Sequence, residues 1–509
     1  MILSLMYLFL MMQMQVYRLN SRSPTSKAMN FFTAFFDVGL MSLLVKETNE
    51  FREFSINFGN RSVREEAKML EWTAVTIPKL YVWFALTMLM PHVRKHRLKD
   101  YWSKDYLLTT PIFGRHMSRD RCFDILSYLH FSTSIGPQPN DRLYKIRPIL
   151  SMLLEKIRMF FLPFQKVLVD ESLVLFRGRL SFIQYIPSKR HRFGIKFFVI
   201  GDCKTGYVLD FVVYTGTDVD VASNDPHGFS GAVVKWLMDH YFKKKHILYT
   251  DNYYTSPALS KFLLENDTGS CGTVRGNRKG WPAFPINTVK GDCLKKKSGN
   301  MLAIHWHDKR VVKLLTNINK GELQDSGKVD HRTGLPKLKP DAVVDYNTNM
   351  RLVDKSDSDM MISSIDCLRK SLKWYKKAFF HLVDITVLNS FILYQQLHEG
   401  SHLSLREFEL LVCRQLLEEY STVQPQVGGQ AMTGRPDKFQ ARDWVSRYYY
   451  LSHLPNLPSG RPGSRRCHVC AHTKRHPARR KETRFWCKEC HVPLCPTECF
   501  RDYHSLDNL

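Results

Sequence analysis

Apolar positions recur at different periods along the chain, and the changes of period divide it. From Asn30 to Phe164 aromatic and aliphatic residues return every three or four positions, most clearly in Phe31–Val45, Val75–Met90 and Leu150–Phe161, which predicts amphipathic helices. Pro91, Pro111, Pro137 and Pro139 punctuate this region, and Gly136–Asp141 has loop composition. The period then shortens. Val167-Leu168-Val169 reads as an apolar strand that ends by delivering Asp170 and Glu171. Ile195–Asp202 and Tyr207–Thr215 are β-branched and aromatic runs around Lys204-Thr205-Gly206, a hairpin by composition. Phe229–Phe242 returns to helical spacing, and Ile247-Leu248-Tyr249 is a second apolar strand delivering Asp251 and Asn252.

Beyond the second acid, Thr255–Asn266 has an apolar helical face and Ser270–Val274 reads as a strand. It opens into Arg275-Gly276-Asn277-Arg278-Lys279-Gly280, a glycine-bearing basic loop suited to backbone phosphates or to a plain surface turn. Met301–Trp306 and Arg310–Thr316 alternate as strands and suggest a small β insertion, followed by a linker at Thr333–Pro340. Asp354 and Asp357 lie three apart in an acidic run, one face of a helix if helical, although a solvated acidic turn is the commoner meaning of such a run. Lys373-Trp374-Tyr375-Lys376-Lys377 could grip a phosphate backbone and precedes a strongly apolar helix, Ala378–Leu397. Lys95–Lys104, with Tyr101 and Trp102 among cations, fits the same description less well than it fits a solvated helix face. Val423–Phe439 and Pro455–Ser464 read as linkers.

Composition narrows the class. At 509 residues, 44% hydrophobic and 12% aromatic, the chain has room for two or three buried cores. A formal charge of +26 favours a polyanionic partner, nucleic acid before membrane. Ile2–Tyr17 is almost wholly apolar, but no basic residue precedes it and no small-residue cleavage site follows, so residues 1–29 read as a disordered or wrongly assigned leader rather than a targeting signal. No membrane partner is expected.

Two sets of residues carry candidate chemistry. Carboxylates delivered by buried strands need a positive partner, which a divalent cation supplies, yet on spacing alone Asp170 and Asp251 are more often caps of the turns that follow. The tail is more specific. Six of the twelve cysteines fall between Cys467 and Cys499, and Cys467, Cys470, Cys487, Cys490, Cys495, Cys499 and His504 supply seven zinc ligands at usable spacings. Two tetrahedral ions need an eighth, from His472, His476 or His491. Arg465, Arg466, Lys474, Arg475, Arg479, Arg480, Lys481 and Arg484 around them favour DNA over a protein partner.

Taken together, Arg97–Trp102 (RLKDYW), Asp141–Pro148 (DRLYKIRP), Asp170–Arg179 (DESLVLFRGR), Asp251–Ser256 (DNYYTS), Gly272–Arg278 (GTVRGNR), Asp345-Tyr346-Asn347, Val353-Asp354 and the cysteine tail resemble, in order, the motifs of piggyBac-type transposases and the host proteins derived from them. That resemblance implies an α/β RNase H-like catalytic core, a mixed sheet with helices, inserted in a mainly α-helical domain, plus a small C-terminal zinc-binding module. It implies that Asp170, Asp251 and Asp354, with Asp357 nearby, hold two Mg²⁺ ions, reversing the commoner meaning of each acid, and that the tail, with the two zinc ions counted above, is the domain that reads the transposon ends. The implied activity is cut-and-paste transposition at TTAA through hairpin ends, by a nuclear homodimer bound to transposon terminal repeats. Arg275, Arg278, Lys279, Lys373, Lys376 and Lys377 are the expected DNA contacts.

The domains so implied are a helical dimerisation and DNA-binding part at 30–165, resumed at 363–422; a catalytic core at 166–275, resumed at 341–362; a β-rich insertion at 276–340; a linker at 423–464; and the cysteine-rich domain at 465–509. Departures from the family pattern suggest an alternative. Arg351-Leu352 stand where the family has two glycines, and Ser358 where Gln is common, so a domesticated DNA-binding protein without efficient catalysis is the competing expectation.

Overall fold

Phe36-Asp37 interrupts what the sequence presents as one apolar helix. In the computed structural model, α1 (Ala28–Phe35) and α2 (Val38–Phe58) meet there at 59°, and Asp37 Oδ1 accepts the Leu40 N–H, a cap that starts the second helix afresh. The structure describes residues 27–58, 72–132, 141–187, 192–216, 221, 224–285, 287–329, 334, 336–350, 373–398, 400–422, 451–454, 462–472, 481–487, 490–496 and 498–505. Two units result, Met1–Gln424 and Pro425–Leu509. Ala28 and Met29, assigned to the leader by their sequence, are buried in α1, because their side chains complete its apolar face.

The helical part continues with α3 (Ile77–Leu89), α4 (Pro111–His116), α5 (Arg119–Tyr128) and α6 (Arg147–Phe160). A mixed sheet follows. Its strands are β1 (Lys166–Leu175), β2 (Gln184–Tyr185), β3 (Phe193–Asp202), β4 (Val208–Val213), β5 (Ile247–Thr250), β6 (Gly269–Thr273), β7 (Cys293–Ser298), β8 (Met301–His307) and β9 (Val311–Thr316). They lie in the order β2-β3-β1-β5-β6-β9-β8-β7, with β4 also on β3. β1 is parallel to β5 and β5 to β6, while the other pairs are antiparallel. The crossovers carry α7 (Gly228–Met238) and α8 (Pro257–Glu265).

The β-rich segment after residue 276 joins the main sheet: β9 pairs with β6 and prolongs the sheet outward. The expected linker at Thr333–Pro340 contains β11 (Pro336–Pro340), paired with β10 (Leu323–Val329). Its alternating Lys and Leu on an exposed two-stranded ribbon resemble a linker in composition, which hid the pairing. Residues 341–350 then form α9.

Strand alternation gives the sheet two cores. Val167 and Val169 join the large core shared with the helices, whereas Leu168, Tyr249 and Cys271 face a smaller one with Ala342 and Val343 of α9. α10 (Trp374–Leu397) runs within the large core, and α11 (Leu405–Tyr420) packs beside α3. α10 is long and apolar enough to cross a membrane, yet its most apolar 18-residue window is 83% buried inside the protein. Asn389 on α10 exchanges two hydrogen bonds of 2.9 Å with the Val208 backbone, tying the helices to β4.

Buried His130 stacks on Phe51 at 4.0 Å, and burial together with the nearby Lys145, Lys376 and Lys373 charges pulls its imidazole down to about 4. A folded value below the ordinary His range means the unfolded chain takes up the proton first, so stability is full above about 6.5 and falls as pH drops toward about 4. His130→Phe is expected to flatten that part of the melting temperature against pH curve, measured by circular dichroism. An unchanged curve would remove His130 from the acid sensitivity.

The second unit holds β12 (Leu451–His453), β13 (Arg465–Arg466), α12 (His468–His472), β14 (Glu482–Thr483), β15 (Phe485–Cys487), β16 (Val492–Pro493) and α13 (Glu498–Ser505). β12, β15 and β16 make one small sheet, and β13 with β14 another.

Candidate active site and metal centre

The register of β1 on β5 sets the first two acids side by side. Val169 pairs with Thr250, so the next residues on the two parallel strands are Asp170 and Asp251. Leu168 and Tyr249 face the smaller core, and alternation returns Asp170 to that face. Asp170 does not end its strand. β1 runs on to Leu175 because β3 pairs along its whole length, and only the parallel partner stops at this level. Glu171, one residue on, points to the opposite face, 3.9 Å from Lys196 Nζ.

Asp251 makes the turn contact that its spacing alone suggests. Its Oδ1 accepts the Tyr253 N–H at 2.9 Å, a turn-forming contact, while Ser256, not Asp251, caps α8 by accepting the Leu259 N–H. Burial raises the Asp251 carboxyl above its ordinary range, and the Glu171 charge adds to this against the Tyr253 and Tyr254 backbone N–H groups. Burial disfavours the charged form of Asp251 and Lys196 offsets this only in part, a balance that a bound divalent cation would reverse.

Gly272 of β6 fixes the turn. A Cβ there would lie 2.3 Å from Thr255 Oγ1 and 2.6 Å from the Thr250 carbonyl oxygen, the backbone that leads into Asp251. Thr250 and Thr255 hydroxyls are themselves bonded at 2.8 Å. Gly272→Ala is expected to destabilise the first unit by about 1–3 kcal/mol and to disturb Asp251. Urea unfolding checks the first, and an unchanged midpoint would show that the turn yields freely.

The basic loop lies against this turn. Arg275 Nε donates to Asn252 Oδ1 at 3.1 Å, and Arg278 donates to the carbonyl oxygens of Asn252 and Tyr253. Arg275 and Lys279 are exposed, so guanidinium and ammonium groups stand beside the residue that follows Asp251. Nothing in the sequence placed the loop and the acid together, since 23 residues separate Asn252 from Arg275.

α9 covers the face on which the acids lie. Tyr346 reaches Thr273 Oγ1 at 3.4 Å. Burial, and then the Asp251 and Asp170 charges, push its hydroxyl well above the ordinary phenol range despite that contact, so both acids act on one α9 side chain. Asp345 accepts hydrogen bonds from Lys166 Nζ and the Tyr249 hydroxyl, each at 2.7 Å. The Asp345-Tyr346-Asn347 motif marked the place, but no periodicity assigned these side chains a role. Arg351, Leu352, Asp354, Asp357 and Ser358 lie outside the described residues.

Among the remaining expected DNA contacts, two are corrected. Lys376 and Lys377 are buried, and Lys376 donates to the Leu126 and Ser127 carbonyl oxygens at the end of α5, where an ammonium satisfies helix-terminal acceptors. Only Lys373 of that trio is exposed. Likewise Tyr101 and Trp102 donate to the Met90 and Met117 carbonyl oxygens and serve the core, not a phosphate backbone.

In the second unit four of the seven expected zinc ligands converge. The Sγ atoms of Cys467, Cys470, Cys495 and Cys499 all lie within 4.8 Å of one another, the spacing of a tetrahedral thiolate site. The Cys495 N–H donates to Cys467 Sγ at 3.3 Å. Burial raises the Cys467 thiol, but the Cys470 and Cys495 backbone N–H groups outweigh it and hold the thiol below its ordinary range. Sequence order interleaves the pairs: Cys487 and Cys490 fall between the two halves of this quartet and stand outside it. His504 is on α13, its side chain and His476 being outside the described residues. His472 Nδ1 is bonded to the His468 carbonyl oxygen at 2.9 Å, and His491 lies against Trp486.

A helical body, a mixed sheet with acids on adjacent parallel strands, and a thiolate finger define a transposase-like protein. The family model described as Transposase IS4 matches residues 27–391, and the chain belongs to that family, in its piggyBac branch. A DDE_Tnp_1-like zinc finger model matches residues 452–505. The chain is 26% identical over 453 residues to human PiggyBac transposable element-derived protein 3, covering 85% of this chain and 70% of the relative. It is 23% identical over 421 residues to human PiggyBac transposable element-derived protein 2, covering 78% and 66%. The fold is similar to that in a piggyBac transposase synaptic complex with hairpin DNA, at TM-score 0.67 and 22% identity over 92% of this chain and 97% of that one.

Proposed function

We propose that this chain is a DNA transposase that cuts and rejoins DNA at TTAA sites through hairpin ends, using an RNase H-like core in which Asp170, Asp251 and Asp354 are the metal ligands and Asp357 an accessory acid. The observation that carries the reading is the β1–β5 register, which sets Asp170 beside Asp251 on the face covered by α9. Two Mg²⁺ ions held there would supply an activated water and charge neutralisation at phosphorus. The chain's own contribution is positional. The Tyr253 N–H orients Asp251, the Gly272 contact fixes the turn, and Arg275, Arg278 and Lys279 form the cationic margin along which a DNA backbone lies. The thiolate finger would hold zinc and carry basic residues to the terminal repeats, in a nuclear homodimer.

A second reading keeps the fold and the DNA binding but not catalysis, and it rests on Arg351-Leu352 in place of the glycines of similar proteins. A cleavage assay separates them: purified full-length protein with Mn²⁺ and labelled DNA carrying its flanking repeats beside TTAA. Nicks followed by hairpins support the transposase. Binding without cleavage, with cutting restored by Arg351→Gly plus Leu352→Gly, would identify a domesticated binder. No cutting by either protein would overturn the catalytic reading.

A further inference from the structure

We propose that Asp345 is a positioning residue for the acid site, a staple that locks α9 onto the two strands carrying Asp170 and Asp251. The inference rests on the reading of those acids as metal ligands. The Asp345 carboxylate accepts from four donors on four segments: Lys166 Nζ of β1 and the Tyr249 hydroxyl of β5, each at 2.7 Å, Asn349 Nδ2 one turn along α9 at 3.0 Å, and Asn319 Nδ2 just after β9 at 3.4 Å. Lys166 stands four residues before Asp170 on its strand, and Tyr249 two before Asp251. The register pairs Lys166 with Ile247 and Leu168 with Tyr249, so one carboxylate bridges the two acid-bearing strands at points two residues apart in level, on the order of 13 and 7 Å below the acids.

The helix so fixed is the one that matters to the site. Residue 346, next in sequence, is the tyrosine that both acids act on, and Asp354 follows four residues after the described end of α9. An ordinary exposed ion pair contributes little and orients nothing. This one is multidentate, saturates its acceptor, and joins β1, β5 and α9 at a single point.

The test compares wild type with Asp345→Asn, Lys166→Met and the double variant in the full-length protein. Readouts are the Mn²⁺ affinity by calorimetry, the Mn²⁺ dependence of DNA cleavage, DNA affinity, and melting temperature. The staple predicts that Asp345→Asn weakens Mn²⁺ binding by up to about 10-fold, the lower end of the loss seen when groups bonded directly to metal ligands are removed, because Asp345 acts through the strands rather than on the ligands themselves. DNA affinity stays within twofold. It also predicts non-additivity, with the double variant no worse than Asp345→Asn alone. A lowered melting temperature with wild-type Mn²⁺ affinity in the single variants would reduce Asp345 to a stability contact and overturn the inference. Should Asp345→Asn not fold, Lys166→Met decides by the same criterion. Where wild type binds Mn²⁺ but does not cut, the affinity comparison still decides. Absence of saturable Mn²⁺ binding in wild type would sink the metal-site reading itself, and the inference with it.

Discussion

Asp251→Asn is expected to abolish DNA cleavage while leaving DNA binding and the fold intact. Asn keeps the shape and can still accept the Tyr253 N–H, so the turn that runs into Ser256 and α8 survives. What it loses is the negative charge that holds a divalent cation beside Asp170. Metal charge stabilisation at phosphorus is worth several kcal/mol, which sets the loss on the order of 10³-fold in rate. Asp170→Asn should behave alike, since it sits on the same face one register step away. Glu171→Gln is the internal control. The Glu171 carboxylate leans toward Lys196 on the opposite face of β1 but lies close enough to push the Asp251 carboxyl up, so the loss should be smaller than for Asp251→Asn without being nil. Single-turnover cleavage rates at saturating Mn²⁺ check all three. Equal losses for Glu171→Gln and Asp251→Asn would mean that strand alternation does not separate ligand from bystander here.

Removal of zinc should unfold the second unit and spare the first. The quartet of Cys467, Cys470, Cys495 and Cys499 ties α12, the start of α13 and the chain before it into one cluster, and the associated core is small, with Val469, Val492 and Leu494 its buried aliphatic members. Structural zinc contributes about 10–16 kcal/mol of apparent binding free energy in comparable fingers, more than such a core provides. Cys470→Ser, or a chelator, is thus expected to release the ion and erase chemical-shift dispersion for residues 462–505 while the melting of the first unit is unaltered. Binding to specific ends should weaken. Cys487→Ser tests the second set: loss of one zinc rather than both, by atomic absorption, is the result expected from its place outside the quartet.

The features legible in the sequence were those that local patterns control. Apolar runs at Val167–Val169 and Ile247–Tyr249 specify strands by themselves, Gly206 at φ 80° closes the β3–β4 hairpin, and cysteine spacing announces a metal finger. What escaped depends on long-range pairing. Asp170 reads as a strand end because apolar residues stop there, yet β3 continues to pair with β1 through Leu175. The pairing of β9 with β6 is not visible in the sequence because the partners, Thr273 with Leu314 to Cys271 with Thr316, lie 41 to 45 residues apart. Lys376 and Lys377 read as a basic grip because charge suggests exposure, whereas an ammonium can end a neighbouring helix from inside the core. The joining of Asp345 to Lys166 spans 179 residues, beyond any periodicity.

The measurement that bears most directly on this account is the location of manganese in crystals of the full-length protein bound to end DNA, read from anomalous scattering. Mn²⁺ is expected between Asp170 and Asp251, within about 2.0–2.3 Å of their carboxylate oxygens, with Asp354 completing the site. Manganese bound elsewhere, or no ion between these two strands, would contradict it.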